Sequence, residues 1–238
     1  MINERYIRQQ PLIGDKGQKI LNDSTVFVAG CGGLGSPILF HLASAGIGNL
    51  RIVDDDIVNI SNLNRQFLHN TDRIGIPKAA SAKKTIEEFN PDINVTAFSS
   101  PINEDTILRL IGSADVIVDA LDNFQTRYIL NEIAYKHDIP LIHGAVSGFT
   151  GHATLIIPTK TPCLSCIFPN IESSPNNIPI IGSTTGIIGS IEAEEVIKYL
   201  TGIGQSLANK LLIWDGLKNK MELISIKKKK DCLVCGTN

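Results

Sequence analysis

Four of the five cysteines stand in two Cys-x-x-Cys pairs, Cys163 with Cys166 and Cys232 with Cys235. Two such pairs together supply four thiolates, which is the ligand set of a tetrahedral zinc site. Because four protein ligands leave no open coordination position, we expect the zinc to cross-link the fold rather than to catalyse a reaction. The alternative is a thioredoxin-like redox pair, which opens a helix directly after a strand, and neither pair is predicted to do so.

A glycine-rich segment, Gly30–Gly35, reads Gly-Cys-Gly-Gly-Leu-Gly and matches the GxGxxG pattern. It stands between an apolar, β-rich run at 24–29 and a stretch at 33–45 whose apolar residues recur at helical spacing. Glycines here allow a tight turn, and the free N–H groups at the start of the helix attract phosphate. The next predicted strand, 49–53, ends at Asp54, whose carboxylate is placed to bind ribose hydroxyls. Together these features predict a nucleotide site.

The segment after Asp54 does not fit a simple NAD-binding enzyme. Such enzymes proceed quickly to a helix, whereas this chain continues with a long polar stretch that includes Arg65 and is followed by Lys78. A triphosphate that is being cleaved needs several cations and a carboxylate to hold Mg²⁺; Asp122, after the predicted strand 115–119, supplies such a carboxylate. Isolated lysines and arginines are more often solvated surface charges, but their position beside a nucleotide loop favours phosphate binding.

The elements that must position these residues alternate between strand and helix. Beyond the first strand–loop–helix–strand unit, we predict helices at 77–89, 104–110, 123–137 and 186–200, strands at 93–98 and 115–119, a strand pair at 140–146 and 152–157, and a terminal hairpin at 210–214 and 220–226. This succession predicts an α/β fold, with a Rossmann-like mainly parallel sheet, helices on both faces, an antiparallel C-terminal extension and a zinc-stapled tail.

Length and composition fit one soluble domain. The 238 residues show no internal repeat and no second independent core, so we interpret 1–238 as a single domain with a nucleotide-binding core at 24–157 and a crossover loop, helix, hairpin and zinc knuckle at 158–238. A net charge of −2 argues against nonspecific nucleic-acid binding. Since neither a membrane-length apolar run nor a secretory signal is evident, we expect a cytoplasmic protein with no membrane partner.

Several segments, in order along the chain, resemble the MoeB/ThiF/HesA family of E1-type activating enzymes. They are Arg5–Gln10, Gly30–Gly35, Asp54–Asp56, Ser61–Gln66, Pro77–Lys78, Leu121–Asn123, the two cysteine pairs and the predicted helix at 186–200. The resemblance covers about residues 4–236 and implies ATP-dependent adenylation of a carboxylate, an adenylyltransferase reaction. In MoeB and ThiF this carboxylate is the C-terminal Gly-Gly of a ubiquitin-like sulfur-carrier protein.

The resemblance also implies roles for individual residues. Gly32 and neighbouring amides would face the phosphates, Asp54 would face the ribose, and Asp122 would hold Mg²⁺. The family is dimeric, and Arg8 matches an arginine that reaches into the site of the other subunit. The candidate catalytic residues are Arg8, Arg65, Lys78 and Asp122. The candidate nucleotide-binding residues are Gly30, Gly32, Gly33, Gly35, Asp54, Asp56, Asn62, Arg65, Gln66, Lys78 and Asp122.

One departure from the family pattern concerns covalent catalysis. Some relatives carry a further cysteine in the crossover region for a thioester or acyl-persulfide link, but residues 167–231 contain none. Cys31 takes a small-residue position in the glycine loop, where we expect it to be packed. The reaction is therefore expected to end at the acyl-adenylate.

Two other kinds of function stay open. The missing cysteine and the polar crossover segment also fit adenylation of a small-molecule or peptide carboxylate, as in iron-guanylylpyridinol cofactor assembly or peptide-antibiotic maturation. An NAD-dependent oxidoreductase or a nucleotide-binding scaffold is disfavoured by Arg65, Lys78 and Asp122. His143 and His152 are expected to be hydrogen-bonded structural histidines rather than substrate contacts.

Overall fold

The structure is a computed structural model that describes residues 4–171 and 179–236, and these residues form one mixed sheet of eight strands. The strands are β1 (Thr25–Ala29), β2 (Asn49–Val53), β3 (Asn94–Phe98), β4 (Val116–Asp119), β5 (Leu141–Ser147), β6 (Thr150–Ile156), β7 (Lys210–Asp215) and β8 (Lys220–Ser225). Their order across the sheet is β3–β2–β1–β4–β5–β6–β7–β8. Strands β1 to β5 pair in parallel and β5 to β8 pair antiparallel, which confirms the predicted architecture.

Helices cover both faces of this sheet, as predicted. Within the described residues they are α1 (Gln10–Asp23), α2 (Gly35–Ala45), α3 (Lys78–Phe89), α4 (Ile107–Ile111), α5 (Phe124–Lys136), α6 (Leu164–Ile167) and α7 (Gly182–Thr201). Because successive strand residues point to opposite faces, Val28 packs with Ile38 of α2 and Ile188 of α7, whereas Phe27 packs in the layer that contains Leu130 of α5.

The strand order reverses beside β1, since β2 pairs with one edge of β1 and β4 with the other. Ligands of open α/β sheets bind at such a point, outside the carboxyl ends of the strands. Ala29 and Asp119, the last residues of β1 and β4, lie in register. The glycine loop that follows β1 and the 120–123 turn that follows β4 therefore meet where the carboxyl ends of these strands lie. We call this end of the sheet the glycine-loop edge.

Three details differ from the sequence predictions. Helix α1 is not predicted, because Pro11 and two glycines interrupt its pattern, and its backbone kinks at Gly14, where φ is 68° and ψ is 173°. Helix α7 begins at Gly182 rather than at 186, inside a stretch whose composition suggests a loop. Cys163 is the N-cap of the four-residue α6, so the first cysteine pair does open a helix, although residues 157–162 separate it from β6. Residues 172–178 of the crossover segment lie outside the described residues.

Candidate active site

The glycine loop turns tightly against the end of β4. Gly30 has a φ of 104°, and a Cβ atom there would lie 2.6 Å from the carbonyl oxygen of Ala120. A side chain at Gly35 would collide with the carbonyl of Gly30. Only glycine satisfies both conditions, so these two positions let β1 pass directly into α2 beside the turn that carries Asp122.

Asp54, which follows the neighbouring strand β2, is hydrogen-bonded to the glycine loop. Its Oδ2 accepts a hydrogen bond of 2.8 Å from the Cys31 N–H, and its Oδ1 accepts one of 3.0 Å from the Asp56 N–H. Burial raises the pKa of Asp54, while the nearby Lys78 ammonium opposes that rise. The carboxylate thus lies at the predicted position, and its role toward ribose stays a prediction.

Lys78 is held inside this edge of the sheet. It begins α3, only 6% of its surface is exposed, and its Nζ lies 2.8 Å from Asp56 Oδ2. The Lys78 N–H also donates to the Asp56 carbonyl at 2.9 Å. The Asp54–Asp56 segment and the start of α3 are thereby joined, which places an ammonium beside the glycine loop.

Arg65 and Gln66 lie over the loop. A Cβ on Gly33 would stand 3.6 Å from Arg65 Cγ, and a Cβ on Gly32 would stand 3.4 Å from Gln66 Nε2. Gln66 is buried, and its Oε1 has no hydrogen-bond partner among the described residues. A buried acceptor without a donor is uncommon in proteins, so this atom marks a place where a ligand donor fits.

Arg65 and Asn62 also make hydrogen bonds within the polar segment that carries them. Arg65 Nη1 donates to the Ser61 carbonyl at 3.0 Å and to Asn64 Oδ1 at 2.8 Å. Asn62 Oδ1 accepts from the Asn59 N–H at 2.9 Å, so its amide caps its own turn rather than pointing freely into the site. The other N–H groups of Arg65 make no hydrogen bond with the described residues, so they are available to an anion.

Asp122 follows β4 in the turn beside Gly30. Its side chain is exposed and makes no hydrogen bond or ion pair with the described residues. The next residue, Asn123, caps α5 by accepting a hydrogen bond of 2.9 Å from the Thr126 N–H. Asp122 is therefore an exposed carboxylate, without a partner among the described residues, on an anchored turn next to the glycine loop.

Arg8 lies far from these groups within its own chain. Tyr6, two residues earlier, packs against Gly46 at the end of α2 and receives a hydrogen bond of 3.0 Å from Asn90 Nδ2. The glycine loop stands at the opposite end of α2, whose 11 residues span roughly 16 Å. Asp54, Lys78, Arg65 and Gln66 lie around the loop and Asp122 lies in the turn beside it, whereas Asn62 caps its own turn and Arg8 lies at the far end of α2.

Sequence reasoning missed one residue that ties the loop to α3. His69 is buried, with Nε2 at 2.9 Å from the Cys31 carbonyl oxygen and Nδ1 at 2.9 Å from Ser81 Oγ. Burial lowers the pKa of His69, so the ring is neutral at pH 7. Its only sequence signal, a histidine in a polar segment, does not distinguish it from a surface residue.

The sequence also did not reveal the buried network that His143 and His152 join in the core below the 120–123 turn. Asp119, Arg127 and His143 come from β4, α5 and β5, and His152 of β6 touches His143. His143 and His152 are hydrogen-bonded histidines, as expected, and His143 is fully buried.

The four cysteines of the two pairs converge. Cys163 Sγ lies 3.6 Å from Cys232 Sγ, and Cys166 Sγ lies 3.3 Å from Cys235 Sγ. All four sulfurs lie within 4.8 Å of one another, and they form the one group of three or more potential ligands found in residues 4–171 and 179–236. Tetrahedral zinc with Zn–S bonds of about 2.3 Å separates its sulfurs by about 3.8 Å, so the cluster fits that ion.

The matching family model is described as the ThiF family, and it covers residues 4–234. This chain belongs to the ThiF family. It is 39% identical to the SAMP-activating enzyme E1 of Haloferax volcanii, over 98% of this chain and 88% of that protein. It is 36% identical to the sulfur carrier protein adenylyltransferase of Thermus thermophilus, over 98% of this chain and 90% of that protein.

A solved structure agrees with the family assignment. E. coli MccB in complex with ATP is similar with a TM-score of 0.86 and 25% identity, over 99% of this chain and 75% of that chain. The expected MoeB/ThiF-type fold and the E1-like adenylyltransferase class of this ThiF-family chain are thereby confirmed. None of its described helices combines the length and the apolar character needed to cross a bilayer.

Proposed function

We propose that this ThiF-family chain uses Mg-ATP to adenylate the C-terminal carboxylate of a small sulfur-carrier protein that ends in Gly-Gly. The Thermus relative is named a sulfur carrier protein adenylyltransferase and the Haloferax relative a SAMP-activating enzyme E1, which supports adenylation of a carrier protein. The observation that carries the proposal is the edge of the sheet at β1 and β4. There a glycine loop suited to anion binding, two cations and a carboxylate without a partner among the described residues lie together.

The charges at this edge suit the cleavage of a triphosphate at its α-phosphorus. A carboxylate nucleophile is already ionised at neutral pH, so no general base is needed. Negative charge grows on the phosphate oxygens as pyrophosphate leaves. Arg65 offers a fork of N–H donors and Lys78 a compact positive charge, and both stabilise that charge. Asp122 is the residue we assign to Mg²⁺, which neutralises the leaving group when bound.

The remaining residues of the edge are assigned to the nucleotide. We assign the N–H groups around Gly32 and Gly33, where the loop enters α2, to the phosphates. Asp54 is assigned to the ribose hydroxyls, and the buried Gln66 Oε1 is an acceptor for a further donor of the ligand. Asp56, now paired with Lys78, keeps that ammonium in place until phosphate competes for it.

We propose that the chain works as a homodimer in which Arg8 acts on the other subunit's site. The support is the position of Arg8 at the far end of α2 from its own glycine loop. An arginine held there has no short path to the phosphates of its own chain. A second copy placed with its N-terminal segment over the loop supplies the missing cation.

We assign the cysteine cluster to structural zinc and the reaction to the cytoplasm, where thiols stay reduced. The paired sulfurs belong to different Cys-x-x-Cys motifs and lie well beyond a disulfide bond length of about 2.05 Å. This cross-pairing favours a shared ion over two redox-active pairs. The metal ties the segment after β8 to the α6 region.

We propose that no cysteine forms a covalent intermediate. The one cysteine outside the cluster is Cys31, which is fully buried in the loop. Burial raises its pKa well above the usual value, and the negative charge of Asp54 adds to that rise. The thiol is therefore protonated and inaccessible, so the acyl-adenylate is the end of the reaction on this enzyme.

A second candidate substrate is a peptide carboxylate. The similar MccB has been solved with MccA, and it is described as a microcin C7 biosynthetic enzyme. The same site chemistry serves either substrate, because only the group that presents the carboxylate differs.

Product analysis tests the proposal. The enzyme is mixed with Mg-ATP and a small ubiquitin-like protein that ends in Gly-Gly, and we expect that protein to gain the mass of one adenylyl group, with release of pyrophosphate. The matched control carries a C-terminal amide and should gain nothing. Cys31→Ala should keep the rate within about tenfold, or ~1.4 kcal/mol of barrier. A thiol-labile adduct on the enzyme that Cys31→Ala abolishes would contradict the adenylate-only reaction, and activity on free peptides alone would select the second candidate.

A further inference from the structure

The backbone just before Asp122 is fixed by two buried side chains. The Leu121 N–H donates to Asp119 Oδ1 at 3.1 Å, and the Leu121 carbonyl accepts from Arg127 Nη2. The same guanidinium nitrogen donates to the Gly144 carbonyl at 3.1 Å, which joins the turn to β5. Both polar backbone atoms of the residue that precedes Asp122 are thus held by side chains from the core.

The Asp119 carboxylate keeps its charge although it is fully buried. Burial by itself would raise the pKa of Asp119, but the Arg127 guanidinium and the hydrogen bond from His143 outweigh it and lower that pKa. Arg127 Nε lies 3.4 Å from Asp119 Oδ2, and His143 Nδ1 lies 2.7 Å from the same oxygen. The carboxylate therefore stays in place as a charged acceptor for the Leu121 N–H.

The orientation of His143 is set by its second nitrogen. His143 Nε2 lies 3.2 Å from His152 Nε2. Burial lowers the pKa of both rings, that of His152 to about 3, so both are neutral. A neutral His143 that donates from Nδ1 to Asp119 must accept at Nε2, so the His152 N–H is its donor. His143 is thereby fixed in the tautomer that Asp119 requires.

Asp122 needs this support because its own side chain has none. The carboxylate is exposed and has no partner among the described residues, so its direction depends on the backbone of the turn. The Ala120 carbonyl beside Gly30 places this turn against the phosphate loop. A small shift of Leu121 would move the carboxylate away from a nucleotide-bound cation.

We propose that Asp119, Arg127 and His143 are positioning residues that hold the Leu121–Asp122 backbone in the geometry with which Asp122 binds magnesium on the nucleotide. The inference rests on the proposed function, since it takes Asp122 as the magnesium residue. Side chains that orient a metal ligand commonly change metal affinity by about 10–100-fold when they are removed.

Magnesium-dependent binding of AMPCPP, a non-hydrolysable ATP analogue, tests this inference without any carboxylate substrate. His143→Leu should raise the Mg²⁺ concentration for half-maximal tightening about tenfold. His143→Asn supplies an amide donor in place of Nδ1 and should recover part of that loss. The matched control is Thr154→Val, equally buried opposite His143 on β6, which should stay within about twofold of wild type.

The decisive comparison is made in the Asp122→Asn background. There His143→Leu should have no further effect on Mg²⁺ dependence, because the residue that it positions has already lost its charge. Arg127→Lys, which keeps the charge but lacks the planar fork, is the second variant if His143→Leu does not fold. An unchanged Mg²⁺ dependence in the folded variants, or an equal loss with and without Asp122, would overturn the inference. Asp122→Asn with wild-type Mg²⁺ dependence would instead refute the proposed role of Asp122.

Discussion

The glycine-loop edge and the cysteine cluster differ in how complete they are in the protein alone. At the edge, Gln66 Oε1 lacks a donor and Asp122 lacks a partner among the described residues. In the cluster, all four sulfurs face one another within 4.8 Å, and three of the four cysteines are buried. The proposed nucleotide site must admit a ligand and release a product, so it stays open, whereas the four thiol groups of the cluster are turned toward one another. Changes at the edge should therefore affect activity, and changes at the cluster should affect stability.

The largest expected effect concerns the open edge and its dependence on a second subunit. Asp122→Ala and Arg8→Ala homodimers should each lose about 10²–10³-fold in rate, the scale for one preorganised electrostatic group. In a heterodimer of the two variants, one site regains both wild-type residues if Arg8 acts across the interface. Activity should then return to about half of the wild-type level, measured as pyrophosphate exchange on purified heterodimers.

The control for this experiment is Lys16→Ala, which removes an exposed cation from α1, eight residues after Arg8 in the chain. It should leave activity unchanged. Failure of verified heterodimers to recover any activity would place Arg8 in its own subunit's site or outside the mechanism.

Substitutions in the cysteine cluster should lower the stability of the protein. Cys235→Ser opens the cluster, and loss of a native cross-link costs about 2–5 kcal/mol, which lowers Tm by roughly 4–20 °C in a chain of this size. Affinity for an ATP analogue should change little. Leu233→Ser, at a fully exposed position between Cys232 and Cys235, is the matched control and should keep the wild-type Tm. Metal analysis should find one zinc per chain, and metal-free protein with a native Tm would refute the cross-link.

The smallest expected effect concerns Glu192. Its carboxyl group lies in the space that a side chain on Gly144 would fill, and neither carboxyl oxygen has a hydrogen-bond partner among the described residues. Burial raises its pKa well above 4.5, and the charge of Asp119 adds to the rise. The folded state therefore binds a proton that the unfolded state releases above about pH 4.5, so this group's contribution to stability falls as pH rises. Glu192→Gln should gain stability over wild type as pH increases, measured by urea unfolding, with Glu194→Gln at an exposed position on the same helix as the control. A difference that shrinks with pH would contradict the protonated state.

Sequence predicted the parts of the molecule whose signals are local. The Gly30–Gly35 pattern lies within six residues, and its strand and helix are its direct neighbours, so its place at the edge follows from the pattern alone. The two cysteine pairs are also recognised locally, because each pair has the Cys-x-x-Cys spacing of metal ligands. Lys78 is recognised because Pro77 marks the start of its helix.

The buried network could not be predicted in this way. Asp119, Arg127 and His143 belong to three separate elements. Asp119 and His143 each follow a short apolar run, and Arg127 follows two polar residues, so no local pattern links the three. Only the pairing of β4 with β5, which puts Asp119 opposite His143, brings them together. Long-range register is not encoded in any local pattern, so a buried polar group is recognised only after the fold is known.

ATP–pyrophosphate exchange measures whether the glycine-loop edge at β1 and β4 activates a carboxylate with ATP. We expect exchange in wild type that requires both Mg²⁺ and a Gly-Gly carrier with a free carboxylate. Asp122→Asn should lower the exchange rate about 10²–10³-fold with an unchanged Tm. Exchange that is indifferent to the carboxylate, or that survives intact in Asp122→Asn, would contradict the proposed function.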